Sequence, residues 1–291
     1  MSIVKSFSVG EGDTFYIKHV SDSFSIIDCN LVDDRRDEII EELNEQSSDK
    51  NIIRFISTHP DEDHIYGLDS LDDSNSIISF YCVKNKVSKE EETVSFKRYC
   101  NLRDSDKAFY ISKGCSRRWM NQSDDARGSA GINILWPDLN NEYFKKALKY
   151  AEDTGKPNNI SPIISYSTGN IKIVWMGDLE TEYMENVYKN VSLKDITVLF
   201  APHHGRDSGK VPTDFLAKLN PKLIIIGEAP SKDLNYYKGY NTITQNSAGD
   251  ITFDIDNSLI DIYVSNKEYS VDFLRNYKKN AFAYYLGTLE V

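Results

Sequence analysis

The chain reads IIRFISTHPDEDHIYGL from residue 52 to residue 68, and this stretch decides the fold. Its first five residues, Ile52 to Ile56, are almost wholly apolar and are typical of a buried β-strand. Directly behind this strand, four metal-capable side chains fall within one short loop: His59, Asp61, Asp63 and His64. Imidazole nitrogens and carboxylate oxygens both bind divalent metals, and α/β sheets place their sites at the carboxyl ends of strands. A turn that merely caps a helix needs one carboxylate, so the cluster predicts a metal loop.

Two further predicted strands end in polar residues of the same kind. The apolar runs 171–176 and 196–200 are each followed by a short polar turn. These turns contain Gly177, Asp178, His203, His204 and Gly205. A Gly-Asp turn alone is usually structural, and adjacent histidines can be a solvated pair. However, all the histidines except His19 lie in the metal loop or in this pair, so we expect three strand ends to meet at one site.

The composition excludes several classes of protein. Of 291 residues, 45 are acidic and 34 are basic, which gives a formal net charge of −11 at pH 7. Such a chain does not hold nucleic acid by bulk electrostatics alone, so a nucleic-acid role would need a local basic patch or a metal. With 27% charged and 40% hydrophobic residues, the composition is that of an ordinary globular protein. It excludes a collagen, a disulfide-stabilised mini-protein and an extended disordered chain. The four cysteines form no C-x-x-C pair, which predicts reduced thiols rather than a thiolate zinc site.

The order of predicted elements favours a single domain over residues 1–291. Alternating strands open the chain, a helix is predicted over 33–46, and hairpins are predicted near 161–176 and 251–264. Between about 82 and 157 the pattern weakens, which predicts an insertion or lid with one strand inside it. No linker rich in Gly, Ser or Pro divides the chain, so we expect two sheets sandwiched between helices. The sequence has no membrane-length apolar run and no signal-peptide pattern, which predicts a cytoplasmic protein without membrane contact.

These motifs resemble those of the metallo-β-lactamase fold superfamily, and within it the branch related to the soluble hydrolase domain of the competence protein ComEC. The matching segments are Val9 to Asp13, Ile27-Asp28, Thr58 to His64, Met176 to Asp178, and Pro202 to Gly205. The metal loop is the most specific of them, and the others gain weight from their order and spacing. The resemblance spans roughly residues 3 to 265.

The resemblance implies an α/β fold, a four-layer αββα sandwich with its metal site at one edge between the two sheets. The ligands that it implies are His59, Asp61, Asp63, His64, Asp178 and His204. His59 and Asp61 would bind one ion, and Asp63 and His64 would bind a second. Asp178 would serve both ions. His203 would be a further ligand, a substrate contact or a proton donor. Asp28 would hold a ligating imidazole in the right tautomer.

Two departures from the superfamily's pattern concern the metal. Many members with two zinc ions carry another histidine between the metal loop and the Gly-Asp motif, but this chain has no histidine from Ile65 to Gly177. Either Asp138 or Asn159 supplies an oxygen in its place, or the first ion lacks that ligand, or only one ion binds well. In addition, Asp61 stands where many members have a histidine. Both changes enrich the site in oxygen donors, so one or two divalent ions are expected, zinc or manganese.

The implied reaction is hydrolysis by a metal-activated hydroxide, because a divalent ion lowers the pKa of a bound water to about 7. Asp63 or Asp178 would orient the hydroxide and His203 would protonate the leaving group, so Asp63 and His203 are the predicted catalytic residues. Since this chemistry serves many bonds, the ComEC-like resemblance is what favours a phosphodiesterase or nuclease. The alternatives are a hydrolase of a small ester, lactone or thioester, and a non-catalytic regulatory or partner-binding module.

The predicted substrate is a nucleic acid or a nucleotide, and a protein partner or a homo-oligomer stays open. Basic residues are interleaved with aromatic ones from Lys84 to Arg118, which would give a single strand both charge and stacking. The alternative for this segment is a solvated helical face with its own aromatic core, and Asp104 and Asp106 dilute its positive charge. Such a substrate would bind at the metal cleft and along this segment.

Overall fold

The computed structural model describes residues 1–75 and 77–291. Within these ranges the strands are β1 (Ser2–Ser6), β2 (Phe15–Lys18), β3 (Ser23–Ile27), β4 (Ile52–Ile56), β5 (Ser79–Cys82), β6 (Ala108–Tyr110), β7 (Ile132–Trp136), β8 (Ile163–Thr168), β9 (Ile171–Trp175), β10 (Val198–Phe200), β11 (Leu223–Ile226), β12 (Thr242–Thr244), β13 (Ile251–Asp256), β14 (Leu259–Val264) and β15 (Tyr284–Glu290). The α-helices are α1 (Arg36–Ser47), α2 (Glu62–Ile65), α3 (Leu68–Asn75), α4 (Val94–Arg103), α5 (Glu142–Thr154), α6 (Thr181–Val187), α7 (Thr213–Leu219) and α8 (Gln245–Ala248).

The strands form two sheets. The first sheet has the order β15-β14-β13-β1-β2-β3-β4-β5-β6, and the second has the order β12-β11-β10-β9-β8-β7. Strands β3 to β6 run parallel in the first sheet, and strands β9 to β12 run parallel in the second. Parallel neighbours end at a common edge, where Ile27 of β3 pairs with Ile56 of β4 and Val174 of β9 pairs with Leu199 of β10. The loops that leave these edges carry the metal-capable residues.

The two sheets pack face to face through alternate residues of their strands. The ring of Phe15 in β2 has its centroid 4.8 Å from that of Phe200 in β10 and 6.1 Å from that of Trp175 in β9. Phe200 also stacks on Trp175 at 5.2 Å and meets Phe253 of β13. Because successive strand residues point to opposite faces, Tyr16 belongs to a separate core on the other side of the first sheet.

Helices cover the outer face of each sheet. On the first sheet, Ile39 and Leu43 of α1 are fully buried in the outer core. On the second sheet, Phe144 of α5 meets Trp136 of β7 edge to face at 6.1 Å, and Tyr183 of α6 packs on the same indole at 6.2 Å. The layers are therefore helices, sheet, sheet and helices. The predicted α/β fold class, a four-layer αββα sandwich, is confirmed.

Residues 82–157, predicted as an insertion or lid with one strand, are shared between the two halves of the sandwich. They contain α4 and β6 on the first sheet, and β7 and α5 on the second. The segment thus holds two strands rather than one. Strand β6 has only three residues, of which none is fully buried, and so short a strand leaves no apolar alternation to detect. The single domain over residues 1–291 stays a prediction.

Both ends of the chain belong to the first sheet. Strand β1 pairs antiparallel with β2 and β13, and the C-terminal strand β15 pairs antiparallel with β14. The helix predicted over 33–46 is α1, which begins at Arg36. Among the helices of the described ranges, none is long and apolar enough to cross a membrane.

Candidate metal centre

The candidate site lies where strands of both sheets end. Asp28 follows β3 and His59 follows β4 in the first sheet, while Asp178 follows β9 and His204 follows β10 in the second. The two sets of loops touch, since Ser161 Oγ, which precedes β8, lies 3.3 Å from His59 Nδ1. The sandwich therefore brings together side chains that are far apart in the sequence.

Four imidazoles surround one buried carboxylate. Asp178 is 2% exposed, and its Oδ1 lies 3.1 Å from Nε2 of His64. Its Oδ2 lies 3.5 Å from Nε2 of His203, 3.7 Å from Nε2 of His204 and 3.8 Å from Nε2 of His59. The structure thus unites every histidine of the two sequence motifs around the aspartate of the Gly-Asp turn.

Several buried atoms of this cluster make no hydrogen bond within the described residues. They are Nε2 of His59, His64 and His204, and Oδ1 of Asp178. An unpartnered buried polar atom costs about 1–3 kcal/mol, so a group of them around one point needs a common partner. Imidazole nitrogen and carboxylate oxygen are the usual ligands of a divalent cation, which would satisfy all of these atoms at once. The residues present therefore fit a metal ion.

Asp28 fixes the orientation of His64. Its fully buried carboxylate accepts hydrogen bonds from Thr58 N at 2.7 Å and from Thr58 Oγ1 at 2.6 Å, and it lies 2.9 Å from His64 Nδ1. An ionised carboxylate can only accept, so Nδ1 of the imidazole carries a proton, and Nε2, the atom nearest Asp178, is the nitrogen left to bind a metal ion once its own proton is lost. This contact is the one that the resemblance implied for Asp28.

Thr58 and Ser161 give His59 the same tautomer. Thr58 donates its hydroxyl proton to Asp28, so its Oγ1 accepts from His59 Nδ1, 3.0 Å away. Ser161 Oγ lies 3.3 Å from the same nitrogen and accepts a hydrogen bond from Asp178 N at 3.2 Å. His59 Nε2 is therefore the unprotonated atom, and it faces the centre.

The oxygen donors that the sequence suggested in place of a histidine are engaged elsewhere. Asn159 donates a hydrogen bond to Glu180 Oε2 at 2.6 Å and accepts one from Glu180 N at 3.0 Å. Asp138 accepts a hydrogen bond from the backbone of Asn140. Neither makes a hydrogen bond or ion pair with the cluster in the described part of the chain. The polar group that reaches His59 from this region is Ser161.

Asp13 belongs to the cluster, although the sequence did not single it out as a site residue. Its Oδ1 lies 3.2 Å from His204 Nδ1, and its Oδ2 lies 4.0 Å from His64 Nδ1. One ligand atom each of Asp13, His64, Asp178 and His204 lie within 4.8 Å of one another. Because Asp13 contacts the Nδ1 side of His204, it orients that ring while Nε2 stays free. The available signal was the glycine turn that Asp13 ends.

The two adjacent histidines face different surroundings. Both have positive φ, +51° at His203 and +56° at His204, a strained region for residues other than glycine. His204 is fully buried, and its Nε2 lies 3.5 Å from Asp63 Oδ2. The side chain of His203 is 15% exposed, and its Nδ1 lies 2.9 Å from Ser208 Oγ. The strained turn therefore points one imidazole into the centre and leaves the other at its open side.

The two aspartates of the metal loop also differ. The side chain of Asp63 is 37% exposed, and although burial alone would raise its pKa, His204 and His64 outweigh burial and lower the pKa to about 2. Asp61 forms an ion pair with Lys89, and its burial, which Lys89 opposes, raises its pKa. Lys89, which precedes α4, is a contact that the sequence did not predict.

The carboxylates make this centre attractive to cations. Burial disfavours a charged imidazole, but Asp178 and Asp28 outweigh burial and hold the pKa of His64 well above its usual value. At His204, Asp13 and Asp178 likewise outweigh burial, and they raise the pKa of His204 to about 10. The negative potential that favours a proton on these rings also favours a metal ion.

The basic segment from Lys84 to Arg118 pairs much of its charge within the protein. Arg98 forms a 2.6 Å ion pair with Asp72, and Arg117 lies over the ring of Phe109 at 4.7 Å. These contacts agree with the solvated face and aromatic core that the sequence allowed as the alternative for this segment. A nucleic-acid surface here stays a prediction.

No protein-family model and no curated protein matches the chain. A Thermotoga maritima protein described as a metallo-beta-lactamase is 14% identical, with a TM-score of 0.34 over 62% of this chain and 81% of that one. The metallo-beta-lactamase SMB-1, solved with mercaptoacetic acid, is 10% identical, with a TM-score of 0.39 over 69% of this chain and 79% of that one. Neither likeness bears on metal or substrate, and the ComEC-related branch stays a prediction.

Proposed function

We propose that the protein is a metal-dependent hydrolase. The observation that carries this proposal is the convergence of the buried Nε2 atoms of His59, His64 and His204 on the carboxylate of Asp178. These nitrogens have no hydrogen bond in the described ranges, and Asp63 adds a second carboxylate. A donor set of imidazoles and carboxylates suits zinc, and its oxygen share suits manganese as well.

In this proposal, Asp63 orients the attacking water. A divalent ion in this centre would lower the pKa of a bound water to about 7 and offset the negative charge that develops on the electrophile. Asp63 stays ionised, since its pKa is about 2, and it lies at the open side of the centre. Its carboxylate can accept a hydrogen bond from the attacking water and so orient it.

In this proposal, His203 donates a proton to the leaving group. Its imidazole is partly exposed, and its Nε2 lies 3.5 Å from Asp178 Oδ2. The contact between His203 Nδ1 and the Ser208 hydroxyl holds the ring in position from the other side. Nε2 is therefore the nitrogen that can carry a proton towards a substrate in the cleft.

We propose a phosphodiester in a nucleic acid or nucleotide as the bond that is cleaved. The support for this substrate is the order of motifs shared with the ComEC-related branch, from the glycine turn at residues 10–13 to the His-His-Gly turn at residues 203–205. Cleavage of a lactone or thioester, with no action on phosphodiesters, would instead favour a small-ester hydrolase.

The experiment compares metal content and hydrolysis in the wild type and Asp63→Ala. Metal-loaded and chelator-stripped protein is assayed on bis-p-nitrophenyl phosphate and on single- and double-stranded DNA, with Mn²⁺ or Zn²⁺. We expect Asp63→Ala to lose about 10²- to 10⁴-fold in rate. The control is Glu62→Ala. Glu62 is the neighbouring carboxylate and accepts a hydrogen bond from Thr93, so its removal should leave the rate largely unchanged. Full activity in Asp63→Ala, or in stripped protein, would refute the proposal.

A further inference from the structure

Asp178 divides the centre into two halves. The inner half is formed by Asp63, His64 and His204, and the outer half by His59 and Asp61. We propose that only the inner half binds a metal ion, and that the ammonium group of Lys89 takes the place of a second ion in the outer half. This inference rests on the proposed metal-dependent function.

Lys89 is anchored in the outer half by two acceptors. Its Nζ donates a hydrogen bond to Asp61 Oδ1 and another, at 2.6 Å, to the carbonyl oxygen of Gly155. Gly155 is the C-cap of α5, and the C-terminal end of a helix carries the partial negative charge that favours a cation. The side chain of Lys89 is 25% exposed. Its ammonium group is therefore a positioned charge beside the centre and not a mobile surface charge.

The outer half is short of ligands once Lys89 holds Asp61. Asp61 Oδ2 and Asp178 Oδ2 lie 3.7 and 3.8 Å from His59 Nε2. Ser161 contributes nothing to this side, because its hydroxyl lies against Nδ1 of the ring. Catalytic zinc sites use three protein ligands, but here Asp61 is shared with Lys89 and Asp178 is shared with the inner half. Within the described residues, Nε2 of His59 is the buried donor atom of this half that makes no hydrogen bond.

Repulsion between like charges adds to this shortage. A divalent ion beside His59 would lie next to the ammonium of Lys89, and like charges repel strongly where the surroundings are partly buried. Asp63 and Asp178 pair with no lysine or arginine in the two described ranges, so in the inner half no ammonium or guanidinium group competes with a metal ion. A centre for one ion also explains why the chain manages without a histidine between residues 65 and 177.

Metal stoichiometry tests the proposal without any measurement of activity. Stripped protein is titrated with Mn²⁺ and with Zn²⁺ by calorimetry, and its metal content per chain is measured after gel filtration. We expect one ion in the wild type and in the control Lys86→Met, whose exposed side chain lies on the same segment. Lys89→Met releases Asp61, so we expect two ions. The double variant Lys89→Met/Asp61→Asn should return to one.

Asp61→Asn alone gives an independent check, because Asp61 is not a ligand if Lys89 holds it. We expect its affinity for the single ion to stay within about threefold of the wild type. A loss of about tenfold or more would show that Asp61 supports the single ion, directly or through a ligand, and would overturn the proposal. Two ions in the wild type, or one ion in a folded Lys89→Met, would also overturn it. A wild type that binds no ion would refute the proposed function itself. If circular dichroism shows Lys89→Met unfolded, Lys89→Gln replaces it.

Discussion

Replacing Asp28 with asparagine should weaken metal binding through the tautomer of His64. The carboxylate accepts at both oxygens, at Oδ1 from Thr58 N and at Oδ2 from Thr58 Oγ1 and His64 Nδ1. Asparagine offers one carbonyl oxygen, which can keep the bond from Thr58 N, and one amide nitrogen that only donates. Against that nitrogen His64 Nδ1 must accept, so the ring proton moves to Nε2. A protonated Nε2 cannot bind a metal ion.

The size of the effect follows from the contact that is lost. A hydrogen bond to a charged group is worth about 1.5–3 kcal/mol, and the 2.9 Å contact between Asp28 and His64 is one such bond. At about 1.4 kcal/mol per factor of ten, the loss amounts to roughly 10- to 100-fold in metal affinity. Partners that orient metal ligands typically contribute about that much.

The assay is calorimetric titration of stripped protein with Zn²⁺ in the presence of a competing chelator. Asp254→Asn is the matched control, since Asp254 is a buried carboxylate on β13 with Asp261 opposite it on β14. The control should keep its affinity within about threefold. If Asp28→Asn also binds zinc within about threefold of the wild type, Asp28 does not set the tautomer of His64.

Three further predictions concern the fold around the centre. Gly177→Ala should lower the free energy of unfolding by about 2–4 kcal/mol, because φ is +50° and a Cβ would meet side-chain atoms at 2.7–2.8 Å. Gly10→Ala is the control, because φ is +75° there but a Cβ would meet no atom within 4 Å, so it should cost only about 1–2 kcal/mol. Equal losses of stability in the two variants would contradict the close approach of side chains to Gly177. Phe200→Ala should cost about 3–5 kcal/mol in urea unfolding, and a loss below about 1 kcal/mol would contradict the packing of the two sheets. Burial would raise the pKa of Asp250, but the hydrogen bonds from Arg35 outweigh burial and lower this pKa. The ion pair therefore stabilises the folded protein above about pH 4, and this stabilisation is lost as the pH falls through the lowered pKa of Asp250. Asp250→Asn should therefore lower stability at pH 7 by about 1–3 kcal/mol, and thermal melts should show that difference shrinking as the pH falls below the ordinary aspartate pKa of about 3.9.

The parts of the centre that the sequence reveals are those encoded locally. The strand at residues 52–56 and the loop behind it are contiguous, so His59 and His64 can be assigned to the end of a buried strand. The Gly-Asp and His-His-Gly turns carry the same signal, a polar residue after an apolar run. The four-layer fold follows from the order of these strands and the helices between them.

The residues that the sequence did not reveal act through contacts between distant segments. Asp13 lies 191 positions from His204, and Ser161 lies 102 positions from His59. Lys89 reaches the metal loop from a segment without regular periodicity, where one lysine among many has no distinguishing pattern. Such roles depend on how loops of two sheets meet, which periodicity and spacing do not encode.

We expect a divalent ion to bind where these imidazoles converge. The most direct measurement is an anomalous difference map from crystals loaded with Mn²⁺ or Zn²⁺, recorded at the absorption edge of the metal. We predict one peak at about 2.0–2.2 Å from Nε2 of His64 and of His204, with Asp63 and Asp178 completing its ligands. A saturated crystal with no peak among these side chains, or with its peak elsewhere on the protein, would contradict the account.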